Sequence, residues 1–352
     1  MGENRHKLKA AILKDKRSII LEDIPDPGTP APDEVRVKIL SVGICGSDVH
    51  YYTDGRIGSF IVDAPLILGH EACGIVEQIG ENVTKVSVGD FVALEPGIPC
   101  KKCKECFTGN YNLCKKIKFW ATPPVNGALT EYVLHPEIFT FKLPSNINRS
   151  IGPLIEPLSV AVHAITKTGI EPGDIVFING SGTVGCLTSV VAKTLGGSYV
   201  ISSDNNELRL DLARKMGVDK TINIISDSII NKVNEITKSL GVNLIYECSG
   251  YSNSLNDLIP ISSPGGKITL IGMGNEKYDF DAVDAMSKEL QIYTVFRYAN
   301  SYFKAIEIAK NTNFNLQELI TDRFNIDNVS EAFEYASNPE PRTCKILIDF
   351  TS

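Results

Sequence analysis

The stretch Gly180-Ser181-Gly182-Thr183-Val184-Gly185 limits what this chain can fold into more than any other. Alone, G-x-G-x-x-G is a weak signal. Here the β-rich run DIVFINGSG leads into it, and TVGCLTSVVAKTLGG follows, with Val184, Leu187, Val191 and Leu195 at helical spacing and Gly196 as a stop. The next strand, SYVISSD, ends in Asp204, about 24 residues after Gly180. That context predicts a dinucleotide turn. Gly180 makes the tight turn, Gly182 lets the backbone approach a pyrophosphate, and Gly185 permits close helix–strand packing. Thr183 and Val184 open a helix whose free N–H groups face the phosphates. Asp204 is expected to accept from the ribose hydroxyls and to repel a 2′-phosphate, which favours NAD over NADP. Arg209 packs over the adenosine or stands as a helix-surface charge.

The alternation continues. NNELRLDLARKMG reads as a helix with Leu208, Leu212 and Met216 on one face, and KTINI, LIYECSG, GKITLIG and QIYTVF read as strands. This implies an α/β, doubly wound parallel sheet flanked by helices. Upstream, short strands such as EVRVKILSVGI, GDFVALEP and ALTEYVLH are separated by clusters such as PDPGTPAP, as in a mainly antiparallel β domain. After Arg297 come a helix-like segment, SYFKAIEIAK, and a last strand, CKILIDF, which has no sheet partners nearby and returns to the first domain. The expected division is 1–157 with 297–352, and 158–296.

At 352 residues the chain has room for two cores, and 43% hydrophobic with 22% charged residues is a globular balance. A net charge of −7 gives no general attraction to nucleic acid or to anionic membranes. MGENRHKLKAAIL lacks the apolar stretch of a signal peptide, and no run is long enough to span a bilayer. A cytoplasmic setting is therefore expected, with its nine cysteines reduced. Four of them fall in CKKCKECFTGNYNLC. Cys100, Cys103, Cys106 and Cys114 have the spacing of a closed tetrahedral zinc site, which would brace a lobe at 97–116 and do no chemistry. Cys73, Cys186, Cys248 and Cys344 are read as small buried hydrophobes.

Cys45 in GICGSDVHYY and the adjacent His70 and Glu71 in LGHEACGIVEQIG form a mixed sulfur, nitrogen and oxygen set of the kind zinc accepts. Gly69-His70-Glu71-x-x-Gly74-x5-Gly80 resembles the zinc signature of the medium-chain dehydrogenases. The resemblance extends over essentially the whole chain, and HYYTDGRIGSF, FWATPP, LIEPLSVAVHA and VFRYAN are most similar to the sorbitol and xylitol dehydrogenase branch. Simpler zinc alcohol dehydrogenases commonly carry a cysteine where this chain has Glu156. Some sorbitol dehydrogenases lack the four-cysteine lobe that is kept here.

The resemblance implies a GroES-like catalytic domain beside a Rossmann coenzyme domain, two zinc ions per subunit, NAD as coenzyme, and a homotetramer. It implies reversible oxidation of a polyol such as sorbitol, xylitol or L-iditol to the ketose. Cys45, His70 and Glu71 would hold the catalytic zinc, with Glu156 binding through water or directly. Ser47 would take the substrate's proton and His50 would pass it on. Tyr51, Glu156, Arg297 and Tyr298 would meet the substrate hydroxyls, with Phe119 and Thr122 shaping the pocket. Ile271, Gly272, Met273, Val295, Phe296 and Arg297 would complete the coenzyme site. The rivals are a 2,3-butanediol or L-threonine type dehydrogenase and, in another class, a catalytically silent NAD- and zinc-binding protein.

Overall fold

The run EVRVKILSVGI makes strand Glu34–Ile44, the longest strand of the first of the two units into which the chain divides. The computed structural model describes residues 7–274, 277–338 and 343–350, so the expectation for the N-terminus lies in part outside the described residues. The first unit is Met1–Glu156 with Ile320–Ser352, and the second is Pro157–Leu319.

In the first unit a seven-stranded sheet runs Thr140–Lys142, Phe91–Leu94, Glu71–Ile79, Glu34–Ile44, Lys345–Asp349, Ile320–Asn325, with Tyr132–Pro136 also paired to Glu34–Ile44. All of these pairs are antiparallel except the last two strands of the path, which are parallel. Val35, Val37, Ile39 and Val42 are fully buried and cluster with Val76, Leu94, Leu129 and Phe333. Each such side chain contributes roughly 1.5–3 kcal/mol by leaving water. The register sets Glu71 opposite Gly43 and Ile346 opposite Ile44. CKILIDF does return to this sheet, as expected.

In the second unit six parallel strands lie in the order Lys220–Asn223, Tyr199–Asp204, Ile175–Asn179, Val242–Glu247, Ser262–Leu270, Gln291–Thr294. This is the doubly wound order, which reverses between Ile175–Asn179 and Val242–Glu247 and leaves a crevice at the strands' carboxyl ends. Phe177, Ile201, Ile222, Ile245 and Ile268 fill its core. Gly180 has φ +95°, and a Cβ on Gly185 would lie 1.8 Å from the Gly180 carbonyl oxygen. The turn therefore needs glycine at both positions.

Four expectations are corrected. Helix Glu207–Lys215 buries Leu210 and Ala213, with Met216 just beyond its end, while Leu208 is 46% exposed. Its N-cap, Asn206, accepts from Leu208 N and Arg209 N, and this fixes the helix's rotation. Helix Thr183–Thr194 ends before Leu195, which is exposed. The return to the first unit falls at Ile320 rather than at residue 297. The intervening segment packs on the coenzyme side: Phe314 lies against Gly217, and Lys215 pairs with Glu318 at 2.5 Å. Cys73 and Cys186 are buried, whereas Cys248 and Cys344 are partly exposed.

Gly185→Ala forces its new methyl into a backbone carbonyl. It is expected to lower stability by about 1–3 kcal/mol, read as a lower urea midpoint with an unchanged slope.

Candidate functional site

Cys45 follows strand Glu34–Ile44 directly and caps helix Gly46–Asp54. The cap is reciprocal, since Asp48 Oδ2 accepts from Cys45 N at 3.0 Å. Asp48 is completely buried, and its other oxygen accepts from Gly69 N at 3.1 Å and lies 3.5 Å from His70 Nδ1. One carboxylate thus ties the turn that carries Cys45 to the turn that carries His70. Burial pushes the Asp48 carboxyl up, but His70 and the two backbone N–H groups outweigh it and hold the group low. Burial likewise pushes the His70 imidazole down, and Asp48 and Cys45 raise it well above its ordinary value.

Glu71 begins strand Glu71–Ile79, and its partner in register is Gly43. A Cβ on Gly43 would meet Glu71 Oε2 at 2.0 Å, so the glycine leaves room for the carboxylate. Ligand atoms of Cys45, His70 and Glu71 lie within 4.8 Å of one another. Lys345 reaches the same place: its Nζ donates to Glu71 Oε1 and Oε2 at 2.8 and 2.7 Å and to Ile44 O at 2.9 Å. Burial would lower the Lys345 ammonium, but the Glu71 and Cys45 charges raise it. The Phe119 ring packs on His70 with centroids 5.8 Å apart.

The other expected residues are distributed as follows. Ser47 and His50 lie on helix Gly46–Asp54, where His50 Nδ1 contacts Asp54 Oδ2 at 3.2 Å on a half-exposed face. Tyr51 is buried and lines a cavity of about 230 Å³ with Leu13, Gly55, Val62 and Pro65. Thr122 closes a turn in which its N–H donates to Phe119 O. Glu156, in the first turn of helix Ile155–Thr168, is buried. Arg297 and Tyr298 belong to the second unit. Arg297 holds φ +57°, uncommon for a non-glycine residue, with its guanidinium over Phe296, and Tyr298 packs on Tyr302.

In the glycine turn Ser181 N donates to Asp204 Oδ2 at 2.8 Å and Asn206 N to Asp204 Oδ1 at 2.9 Å, which locks the Asp204 carboxylate against the turn. Ile271 N and Gly272 N both donate to Glu247 O at 2.9 Å, while Val295 N donates to Leu270 O. Met273 is 51% exposed.

The four lobe cysteines also converge within 4.8 Å. Cys103 Sγ lies 3.4 Å and Cys100 Sγ 4.0 Å from Cys106 Sγ. A tetrahedral ion with thiolates at roughly 2.3 Å would set sulfurs about 3.8 Å apart, so this set fits zinc. The sulfur, imidazole and carboxylate set of Cys45, His70 and Glu71 fits it as well. Tyr111, between the last two lobe cysteines, donates to the buried Glu95 at 2.6 Å, and His135 Nε2 bonds Glu95 O at 3.0 Å.

Asp48 and Lys345 are the residues the motifs missed. Asp48 was findable, because an acid three residues after the cap is a helix-start signal. Lys345 carries no local signal at all.

The Alcohol dehydrogenase GroES-like domain family matches residues 31–145, and the Zinc-binding dehydrogenase family matches 183–311. Sorbitol dehydrogenase of Bacillus subtilis is 37% identical over 342 residues, 97% of each chain. D-xylulose reductase of Morganella morganii is 40% identical over 333 residues, 94% of this chain and 98% of that one. The crystal structure of an Escherichia coli oxidoreductase/dehydrogenase of unknown specificity superposes with TM-score 0.94 at 34% identity, covering 99% of this chain and 100% of that one. The chain belongs to the zinc-dependent medium-chain dehydrogenases, in the branch that holds the sorbitol and xylitol enzymes.

Burial pushes the Glu95 carboxyl up to about 7 from 4.5, against the Tyr111 hydrogen bond, and Glu156 adds to the rise. The folded chain thus keeps a proton that the unfolded chain releases. The resulting stabilisation is full below about pH 4.5 and is lost as pH rises through about 7. Glu95→Gln removes that loss. Its stability relative to the parent is expected to rise by roughly 2–3 kcal/mol between about pH 5 and about pH 8, measured by urea unfolding.

Proposed function

We propose that this chain is a zinc- and NAD-dependent polyol dehydrogenase that interconverts a secondary alcohol, such as sorbitol, xylitol or L-iditol, with its ketose. The observation that carries the reading is the convergence of Cys45, His70 and Glu71 in a chain whose full-length relatives include a sorbitol dehydrogenase and a D-xylulose reductase. Cys45, His70 and Glu71 hold the catalytic zinc, with Glu156 beside them directly or through a water. Bound there, zinc would supply the Lewis acidity that eases loss of the alcohol's proton, and a nicotinamide coenzyme would supply the hydride acceptor.

The chain's own groups do the rest. Asp48, against Nδ1 of His70, leaves the other ring nitrogen for the ion and fixes the ring's orientation. Ser47 accepts the proton from the substrate hydroxyl and His50 relays it outward. Tyr51, Arg297 and Tyr298 bind further hydroxyls, and Phe119 and Thr122 bound the pocket. Such a site rejects simple alcohols, because its buried polar groups would be left unpaired. The turn from Gly180 to Gly185 receives the pyrophosphate, with Asp204 on the ribose and Arg209 nearby. Ile271, Gly272, Met273, Val295 and Phe296 line the coenzyme's other half. A second zinc in the four-cysteine lobe is structural. Cytoplasmic location and a homotetramer rest on the resemblance and on composition. No helix among the described residues is long and apolar enough to cross a membrane.

Coenzyme reduction with sorbitol, xylitol, 2,3-butanediol and threonine tests the reading. The polyols should turn over best and NADP should serve poorly; a preference for butanediol or threonine, or no reduction with any of them, would falsify it. Ser47→Ala should lower kcat by about 10²-fold or more while zinc content by elemental analysis stays unchanged.

A further inference from the structure

Lys345 and Glu71 sit on opposite sides of the same strand. Lys345 opens strand Lys345–Asp349, which pairs with one edge of Glu34–Ile44, and Glu71 opens Glu71–Ile79 on the other edge. Between them lies Gly43, whose missing side chain leaves the path across the strand open. The ammonium has three N–H bonds and three acceptors, namely both Glu71 oxygens and the carbonyl of Ile44, the residue before Cys45. Lys345 is 4% exposed and Glu71 1%.

A buried ion pair is weak evidence for stability, since apolar residues of similar size often serve as well. This pair differs because its carboxylate is also one of the three groups that converge as ligands. One thiolate and two carboxylates, those of Glu71 and Asp48, stand around the place a divalent ion would take, and Lys345 offsets one of their negative charges. Both oxygens of Glu71 already accept from Lys345, so an ion that binds Glu71 must share the carboxylate's charge with an ammonium.

We propose that Lys345 is a positioning residue that competes with the catalytic ion for Glu71, which makes Glu71 the labile member of the ligand set. This rests on the assignment of the zinc site above. Cys45 and His70, for which no hydrogen bond from Lys345 is seen among the described residues, are the firm ligands.

The test is zinc affinity by chelator competition on the full chain, without substrate or coenzyme. Cys45→Ser, with one zinc fewer than the parent, identifies which ion is being measured. Lys345→Met should bind that ion about tenfold or more tightly and release it more slowly, and Lys345→Arg should match the parent. A merely structural pair predicts the opposite sign, because the unpaired Glu71 would distort the site and loosen the ion. Equal or weaker zinc binding by Lys345→Met overturns the proposal. If Lys345→Met does not fold, Glu71→Gln decides. A loss of affinity much smaller than that of Cys45→Ser supports a labile Glu71, and an equal loss overturns it. A parent protein that holds no zinc at Cys45 would sink the functional assignment instead, so the two failures are distinct.

Discussion

The antiparallel register that sets Glu71 opposite Gly43 is the constraint from which the site in the first unit is built. Strand Glu34–Ile44 is held by burial of its valines and isoleucines, and slipping it by one residue would turn those side chains out of the core. Its end is therefore fixed in space by packing that has nothing to do with chemistry. Cys45 follows from that end, Glu71 is delivered across one edge and Lys345 across the other. His70 is placed by being next to Glu71 and by Asp48, which holds the Gly69 N–H. A rigid sheet supplies the precision that a loop could not.

Much of this could be read from the residues alone, for a physical reason. The glycine turn works through backbone geometry over six residues, and the cysteine lobe through spacing over fifteen, so both are local. Parallel alternation is also local, one strand and one helix at a time. Lys345 was illegible because 274 residues separate it from Glu71, and nothing around CKILIDF distinguishes a strand-end lysine from a solvated one. The stretch from 297 to 319 was misassigned because an amphipathic helix shows that it has a buried face and not which core receives it. Only the packing of Phe314 on Gly217 and the Lys215–Glu318 pair decide that. Leu208 failed for a smaller reason: it lies in the helix's first turn, while the buried side runs through Leu210, Ala213 and Met216.

The lobe and the sheet are joined through Tyr111, by a polar contact and by an edge-on packing of its ring against the buried Phe139. Phe107 and Leu113 in the lobe are exposed, whereas Tyr111 reaches in to Glu95 at the end of strand Phe91–Leu94. Glu95 in turn accepts from His135 through its carbonyl, and His135 lies against Trp120. Trp120 adjoins Phe119, which packs on His70. A chain of contacts therefore runs from Tyr111 in the lobe to the His70 imidazole.

The charges in the first unit's cluster are matched in pairs. Asp48 stands against His70, and Glu71 against Lys345. Either acid left alone at that depth would take up a proton or open the fold, since an isolated buried charge is far costlier than a paired one. With both pairs in place, Cys45, His70 and Glu71 are held near one another by the protein's own electrostatics and hydrogen bonds. The lobe is built on the other principle. Its thiols converge on a loop whose helix, Lys104–Phe107, is only four residues long. An ion bound at the first site meets a scaffold already assembled, and an ion bound at the second supplies much of the scaffold itself. That difference is the one expected between a metal used for chemistry, which must tolerate a change of ligand, and one used as a brace, which must not.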